Sequence, residues 1–188
     1  MEIGVAILKV AHLGHPVLRR VADPVPRADI SRPETQRLID DMIETMHEYI
    51  GVGLAAPQVH VSRQIAVLEC EAHPRHRDMP SIPLMVIVNP VLTPVSEETA
   101  TDWEGCLSIP EFRGVTPRYT AMRLEAYGRK GERIDLVAKD FFARVLQHET
   151  DHLNGKVYLD RMGDLATLCH LQEWSRYWLD RAEDGESR

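Results

Sequence analysis

This 188-residue chain reads as an α+β fold, with antiparallel strands packed around a central helix and an N-terminal and a C-terminal helix completing it. Helical periodicity is confined to three separated stretches, and short apolar, β-branched runs cluster between the first two. A Gly-Arg-Lys-Gly turn joins two alternating runs, which is the mark of a hairpin and not of a βαβ crossover.

Ser31-Arg32-Pro33-Glu34 has the form of a capping box, and Leu38, Ile39, Met42, Ile43, Met46 and Ile50 follow at helical spacing until Gly51 stops the run. A helix is therefore expected over residues 32–50. Residues 65–70 and 84–92 are short apolar runs bounded by turn formers, hence strands. Residues 122–127 and 132–137 are the hairpin arms around Gly128 and Gly131. A second helix is expected over 140–153, ending at Gly155, and a third over 164–182. Residues 73–83 are punctuated by proline and read as an exposed loop with solvated His73 and His76.

Length suits one domain over residues 1–188, with 164–188 a C-terminal helix and mixed-charge tail. Lys plus Arg number 22 against 29 Asp plus Glu, a net charge of −7, and no basic cluster stands out. Direct nucleic-acid binding is therefore not expected. The opening MEIGVAILKV is too short an apolar run for a signal peptide or a membrane span, so a cytoplasmic protein is expected. Cys70, Cys106 and Cys169 lack the density of a disulfide scaffold, which leaves thiolate ligation open to one of them. Cys70 ends an apolar strand and Cys169 lies in the amphipathic third helix, and both read as structural.

The chemistry is concentrated in three stretches. In QHETDHLNG, residues 147–155, a step of four places His148 and His152 on one helix face, able to share a cation. Glu149 lies about 100° round the axis, beside such a cation, where a carboxylate can move a proton to or from water. The alternative is a polar turn of a solvated helix. A hydrolytic metal site ordinarily has three protein ligands, and His170, Asp160, Asp164 and Glu173 downstream form no recognisable pattern for the third. WEGCLSIPEF, residues 103–112, offers Cys106 directly after Gly105, where a glycine allows close backbone approach; a buried structural cysteine is the competing reading. GVGLAAPQ, residues 51–58, supplies compact residues and the amide of Gln58, and by itself equally suits a helix cap followed by a tight turn. It lacks the Lys-Ser/Thr ending of a phosphate loop.

Together, GVGLAAPQ, EGCLS and QHETDHLNG, in this order, resemble the three signature motifs of the peptide deformylases. HPVLRRVADPV and YLDRM are also similar to that family, so the resemblance covers about residues 7–162. It implies that Cys106, His148 and His152 bind one divalent metal ion, natively ferrous iron; two imidazoles and a thiolate also attract zinc, which ordinary purification is therefore expected to leave. It further implies attack by metal-bound hydroxide on the formyl group of formylmethionyl nascent chains, with Glu149 as general base and then acid. The Gln58 side chain and the Leu107 backbone N–H would hold the oxyanion, and Val52, Gly53, Gly105 and Arg113 would contact the peptide. The expected partner is thus a formylated peptide, presented by a ribosome-associated nascent chain. Arg144 stands where some members carry an apolar residue lining the methionine pocket, which leaves the pocket's shape open: its guanidinium either reaches the pocket mouth with its stem along the wall or faces solvent. The acidic tail differs from the basic C-terminal helix by which a bacterial member docks on the ribosome. A zinc endopeptidase of the HExxH type, which would not need Cys106, is the alternative function.

Overall fold

The strand sequences alternate between two destinations. In the strand Ile65–Cys70, Ile65 and Val67 face one apolar cluster while Ala66, Leu68 and Cys70 face another; in Ile82–Pro94, Val86 and Val88 join the first and Ile82 and Ile87 the second. With both faces covered, such strands become nearly continuous apolar runs. The computed structural model describes residues 4–70 and 81–179. Along the chain lie α1 (Pro33–Glu48), β1 (Gly53–Ala55), β2 (Ile65–Cys70), β3 (Ile82–Pro94), β4 (Thr99–Cys106) and β5 (Ile109–Tyr119). They are followed by β6 (Ala121–Tyr127), β7 (Arg133–Lys139), α2 (Asp140–Leu153), β8 (Cys169–His170) and α3 (Leu171–Tyr177). One sheet has the order β1-β2-β3-β6-β7 and the other β4-β5-β8, with every ladder antiparallel. The fold is α+β with antiparallel sheets and three helices, as the sequence implied.

α1 buries Ile39, Met42 and Met46 in the first cluster, against β1 and β2. The expected capping box is absent: Arg32 is the N-cap, and its side chain makes no capping bond. Pro33 occupies the first turn, where its missing N–H costs nothing. Thr35 Oγ1 and Gln36 Nε2 instead reach back to the carbonyls of Asp29 and Ile30, each at 2.7 Å. The preceding 3-10 turn offers those acceptors and redirects the side chains that would have served the helix. At the other end the stop precedes Gly51. Ile50 takes the left-handed conformation (φ 54°), its N–H bonds to His47 O at 3.0 Å, and Gly51 N–H bonds to Met46 O at 2.8 Å. This is a Schellman pair with a β-branched residue where glycine is usual.

β2 spans the expected residues, and β3 runs past both expected ends. A register shift between Val88 and Val91 absorbs Asn89 (φ 51°), whose side chain bonds the Val25 backbone N–H and C=O, each at 2.8 Å. The hairpin β6–β7 closes as expected, with Gly131 at φ 78°. α2 touches β1, β2, β3, β5, β6 and β7, and it buries polar residues as well as apolar ones.

The third helix is corrected. Residues 165–167 form a 3-10 turn, Cys169 and His170 form β8, and α3 covers only Leu171–Tyr177. Cys169 therefore lies in a strand, paired with Arg113. The open edge of β5 takes up the backbone of residues 169 and 170, and His170 Nδ1 then caps α3 by accepting from Gln172 N–H at 3.3 Å. Tertiary pairing at the β5 edge overrides the local helical pattern there, since helical stability in proteins comes mostly from packing. The loop expected around His73 and His76 falls mostly at residues 71–80, outside the described residues. No helix among the described residues is long and apolar enough to cross a membrane.

Ile50 is 92 % exposed, so its side chain gains nothing from burial to offset the left-handed backbone. Ile50→Gly is expected to raise the unfolding free energy by about 1 kcal/mol, read as a higher urea midpoint at unchanged m-value.

Candidate metal centre and catalytic cleft

α2 carries His148, Glu149 and His152, and β4 brings Cys106 against them at its C-terminal end. One ligand atom from each of Cys106, His148 and His152 can be chosen so that all lie within 4.8 Å of one another. Cys106 Sγ is 3.2 Å from His152 Nε2. A tetrahedral ion at ordinary Zn–S and Zn–N lengths needs donors roughly 3.3–3.6 Å apart, so the set fits a divalent metal with little adjustment. Downstream, His170 stands 3.8 Å from Glu111, and Asp160 pairs with Arg19; neither joins the cluster.

The electrostatics suit a cation. Burial pushes the Cys106 thiol up, but His152 and His148 beside it more than offset this and hold it well below its usual value, as a thiolate. Nδ1 of His148 meets Glu104 Oε2 at 2.9 Å, which leaves Nε2 for a metal. Arg118 grips Glu104 through Nε and Nη2 at 2.9 and 3.0 Å, and Arg144 Nη1 adds a bond at 2.8 Å. Burial alone would raise the Glu104 carboxyl; His148 and Arg118 instead hold it far below the usual carboxylate range. Arg118 also donates to Asp151 at 2.6 Å, tying β5 to α2.

Arg144 takes neither of the two places considered for it, at the pocket mouth or facing solvent. Although it lines the cleft, its guanidinium is buried and donates to Glu104, to Thr116 O and to Ala100 O, each at 2.8 Å. A carboxylate and two backbone carbonyls lie within its reach, and these hold it more strongly than water at the mouth would.

Glu149 sits over β1. It is 3 % exposed, and its Oε2 finds no hydrogen-bond partner among the described residues. Burial is the main reason its pKa is pushed up to about 7, with Cys106 and Glu104 adding to the rise and the two histidines opposing it. A carboxyl poised near neutrality is suited to taking and returning a proton. A Cβ on Gly53 would lie 2.3 Å from Glu149 Oε1, so the glycine is what lets the carboxylate rest there. Gln58 is oriented by its own backbone turn. Its Oε1 accepts from Ala55 N–H at 2.8 Å, and Nε2 points to Ser108 Oγ at 3.3 Å and Cys106 Sγ at 3.6 Å.

These groups form the base of a cleft of about 560 Å³, also lined by Val52, Gly53, Gly105, Leu107 and Arg113. All the residues anticipated from the sequence therefore line this cleft except His152, which lies fully buried beneath it. Sequence reasoning missed Glu104, Arg118 and Asp151. Glu104 lay inside the quoted WEGCLS stretch, but its role depends on Arg118 of β5 and Arg144 of α2, which no local pattern connects to it.

The profile of the polypeptide deformylase family matches residues 7–167. The chain belongs to that family. It is 49 % identical over 167 residues to peptide deformylase 1 of Bordetella pertussis, covering 89 % of this chain and 92 % of that protein. To peptide deformylase 1 of Nitrosomonas europaea it is 46 % identical over 160 residues, 85 % and 89 % of the two chains. Among solved structures, a Met-Ala-Ser-bound class I type b peptide deformylase from Acinetobacter baumannii superposes with a TM-score of 0.81 at 36 % identity, covering 85 % of this chain and all (100 %) of that one. The deformylase from Ehrlichia chaffeensis gives a TM-score of 0.77 at 27 % identity, with coverages of 95 % and 96 %. The protein is thus a peptide deformylase, a hydrolase that removes the N-terminal formyl group of nascent polypeptides. The family implies a single metal ion, for which the Cys106, His148 and His152 group is available, and the endopeptidase alternative is not favoured.

Gly53→Ala forces the Glu149 carboxylate to move, and a displacement near 1 Å in such a group costs roughly 10²-fold in rate. The variant is expected to lose turnover on that scale while retaining stoichiometric metal, measured by formate release alongside metal analysis.

Proposed function

We propose that deformylation here is carried out by Glu149, Gln58 and the Leu107 N–H around one divalent ion held by Cys106, His148 and His152. The observation that carries this is the convergence of three groups at the cleft base: a metal-compatible donor triad, a buried carboxyl poised near neutrality, and an amide anchored by its own oxygen. When bound, the ion supplies the Lewis acidity that polarises the formyl carbonyl and acidifies water.

The chain's own groups do the rest. Glu149 accepts a proton from the attacking water, and the tetrahedral adduct places negative charge on the former carbonyl oxygen. Gln58 Nε2, fixed by the bond from Ala55 N–H to Oε1, and Leu107 N–H donate to that oxygen, each worth about 3 kcal/mol of barrier. Glu149 then gives its proton to the departing amine nitrogen as the C–N bond breaks, releasing formate and a free N-terminus. Val52, Gly53, Gly105 and Arg113 contact the peptide, with the methionine side chain in the apolar part of the cleft beside α2.

We place the metal on α2 as the central helix of a single catalytic domain over residues 1–188, which its contacts with strands of both sheets support. The native ion is proposed to be ferrous iron. Two imidazoles and a thiolate also attract zinc, which stands above iron in the usual affinity order, so zinc is the ion that ordinary purification leaves. The substrate is delivered by ribosome-bound nascent chains, which places the protein in the cytoplasm, and nothing in the net negative charge favours direct nucleic-acid binding.

The function is tested by formate release from formyl-Met-Ala-Ser, with no cleavage of its unformylated counterpart. Glu149→Gln keeps the side chain's size but cannot take a proton, so turnover is expected to fall at least 10²–10⁴-fold with metal retained. Near-normal release from the loaded variant removes Glu149 from the mechanism. Anaerobically iron-loaded protein is expected to exceed zinc-loaded protein in rate and to lose activity selectively under peroxide. Equal rates with equal peroxide resistance refute the iron assignment.

A further inference from the structure

The family profile ends at residue 167, yet the chain returns to the cleft immediately afterwards. β8 adds to the free edge of β5, pairing Cys169 with Arg113 and His170 with Phe112, and the His170 ring meets Phe112 edge-on at 5.7 Å. α3 then places Trp174 beside the Arg113 guanidinium, 5.9 Å from carbon to ring centroid. Trp103, a residue of the cleft wall, is clasped between Trp174 and Trp178 at centroid distances of 6.3 and 5.7 Å. Leu171 itself lines the cleft.

Arg113 is the point on which these contacts bear. A Cβ built on Gly105 would lie 2.2 Å from Arg113 Nη1, so the guanidinium rests directly on the glycine next to the ligand Cys106. A long cationic side chain keeps its rotamer freedom unless packing takes it away. Here the backbone of Arg113 is paired with β8, and its head, which donates from Nη1 to Phe112 O at 2.9 Å, lies against the Trp174 ring; β8 and Trp174 both come from the segment beyond residue 167. The cleft is also graded in exposure. Cys106, Gln58 and Glu149 are buried at its base, whereas Glu111 and Leu171 are exposed or half-exposed at this rim. The reacting end of a peptide lies at the base, so the rim meets residues farther along it.

We propose that the segment Leu168–Leu179 is a recognition wall of the substrate cleft, which holds Arg113 over Gly105 for a peptide carbonyl and offers Leu171 with Trp103 to an apolar side chain beyond the formylated residue. Trp174 is in this scheme a positioning residue, acting through Arg113 and Trp103. The scheme rests on the assignment of Arg113 as a peptide contact.

The test is a length series: formyl-Met amide, formyl-Met-Ala, formyl-Met-Ala-Ser and formyl-Met-Ala-Leu, with kcat and KM measured on the metal-loaded full chain. Trp174→Ala is expected to raise KM for the two tripeptides about 3- to 10-fold, the scale of one cation–π contact, with KM for formyl-Met amide and kcat throughout within about twofold. Trp174→Phe keeps a ring and is expected to retain most of the wild-type KM. Leu171→Ala, which leaves the tryptophan cluster intact, should narrow the preference for formyl-Met-Ala-Leu over formyl-Met-Ala-Ser. Thermal unfolding of each variant identifies any loss of fold, which would lower rates on all four substrates alike. A length-selective KM rise in Arg113→Ala without one in Trp174→Ala or Leu171→Ala overturns the wall and leaves the Arg113 assignment standing. No length-selective change in any of the three overturns both.

Discussion

The carboxylate of Glu104 is the constraint on which the centre depends. It is nearly fully buried, and its two oxygens receive two bonds from Arg118, one from Arg144 and the ring nitrogen of His148. Taking a carboxylate out of water is costly, and it is tolerated when charged donors satisfy the lone pairs that water gives up. Because those donors come from β5 and α2 while Glu104 itself is on β4, the carboxylate fixes three elements in one register. Cys106 lies two residues along β4 from Glu104, and His148 lies one helical turn from Arg144. The triad is therefore assembled by an ion cluster behind it, and would be so assembled before any metal arrives.

A second consequence follows for α2. A helix with so many polar residues facing inward would ordinarily be a poor core element, since each buried donor or acceptor needs a partner. Here partners come from β5 and from the turn that follows the helix: Gln147 bonds both the N–H and the C=O of Tyr119, and Asp151 takes Arg118 of β5 and Arg161 of the 3-10 turn over residues 158–161. Ala143, Leu146 and Leu153 supply the apolar contact with the second cluster. Reaction groups and packing groups thus interleave along one helix, which is why the amphipathic pattern of the stretch is blurred at the turn that carries the chemistry.

Legibility followed the range of the interactions. β2, the β6–β7 hairpin and α2 were readable because burial or a glycine turn imposes a local period. β4, with the sequence TATDWEGC, has four exposed residues at its start and is a strand because β5 pairs with it, so no local period marks it. The same holds for β8, where two residues become a strand only because an edge awaits them. At the site, Cys106, His148, Glu149, His152 and Gln58 stand in short stretches whose residue types are chemically specific, and those could be read. Arg144 could not: along the helix it looks like a pocket residue, and its true place is set by Glu104, which is 40 positions away in sequence. Ile50 was misjudged for a smaller reason, since the glycine beside it is the more usual left-handed residue.

β8 covers part of an edge that would otherwise offer unpaired N–H and C=O groups beside an exposed phenylalanine, Phe112. Such an edge is a template for another strand, whether from a second copy of the protein or from an unfolded chain. An enzyme that meets unfinished polypeptides meets extended backbone at high local concentration, and an open edge next to its cleft would capture it without regard to what stands at the N-terminus. Two residues of pairing occupy that part of the edge, which narrows this route beside the cleft.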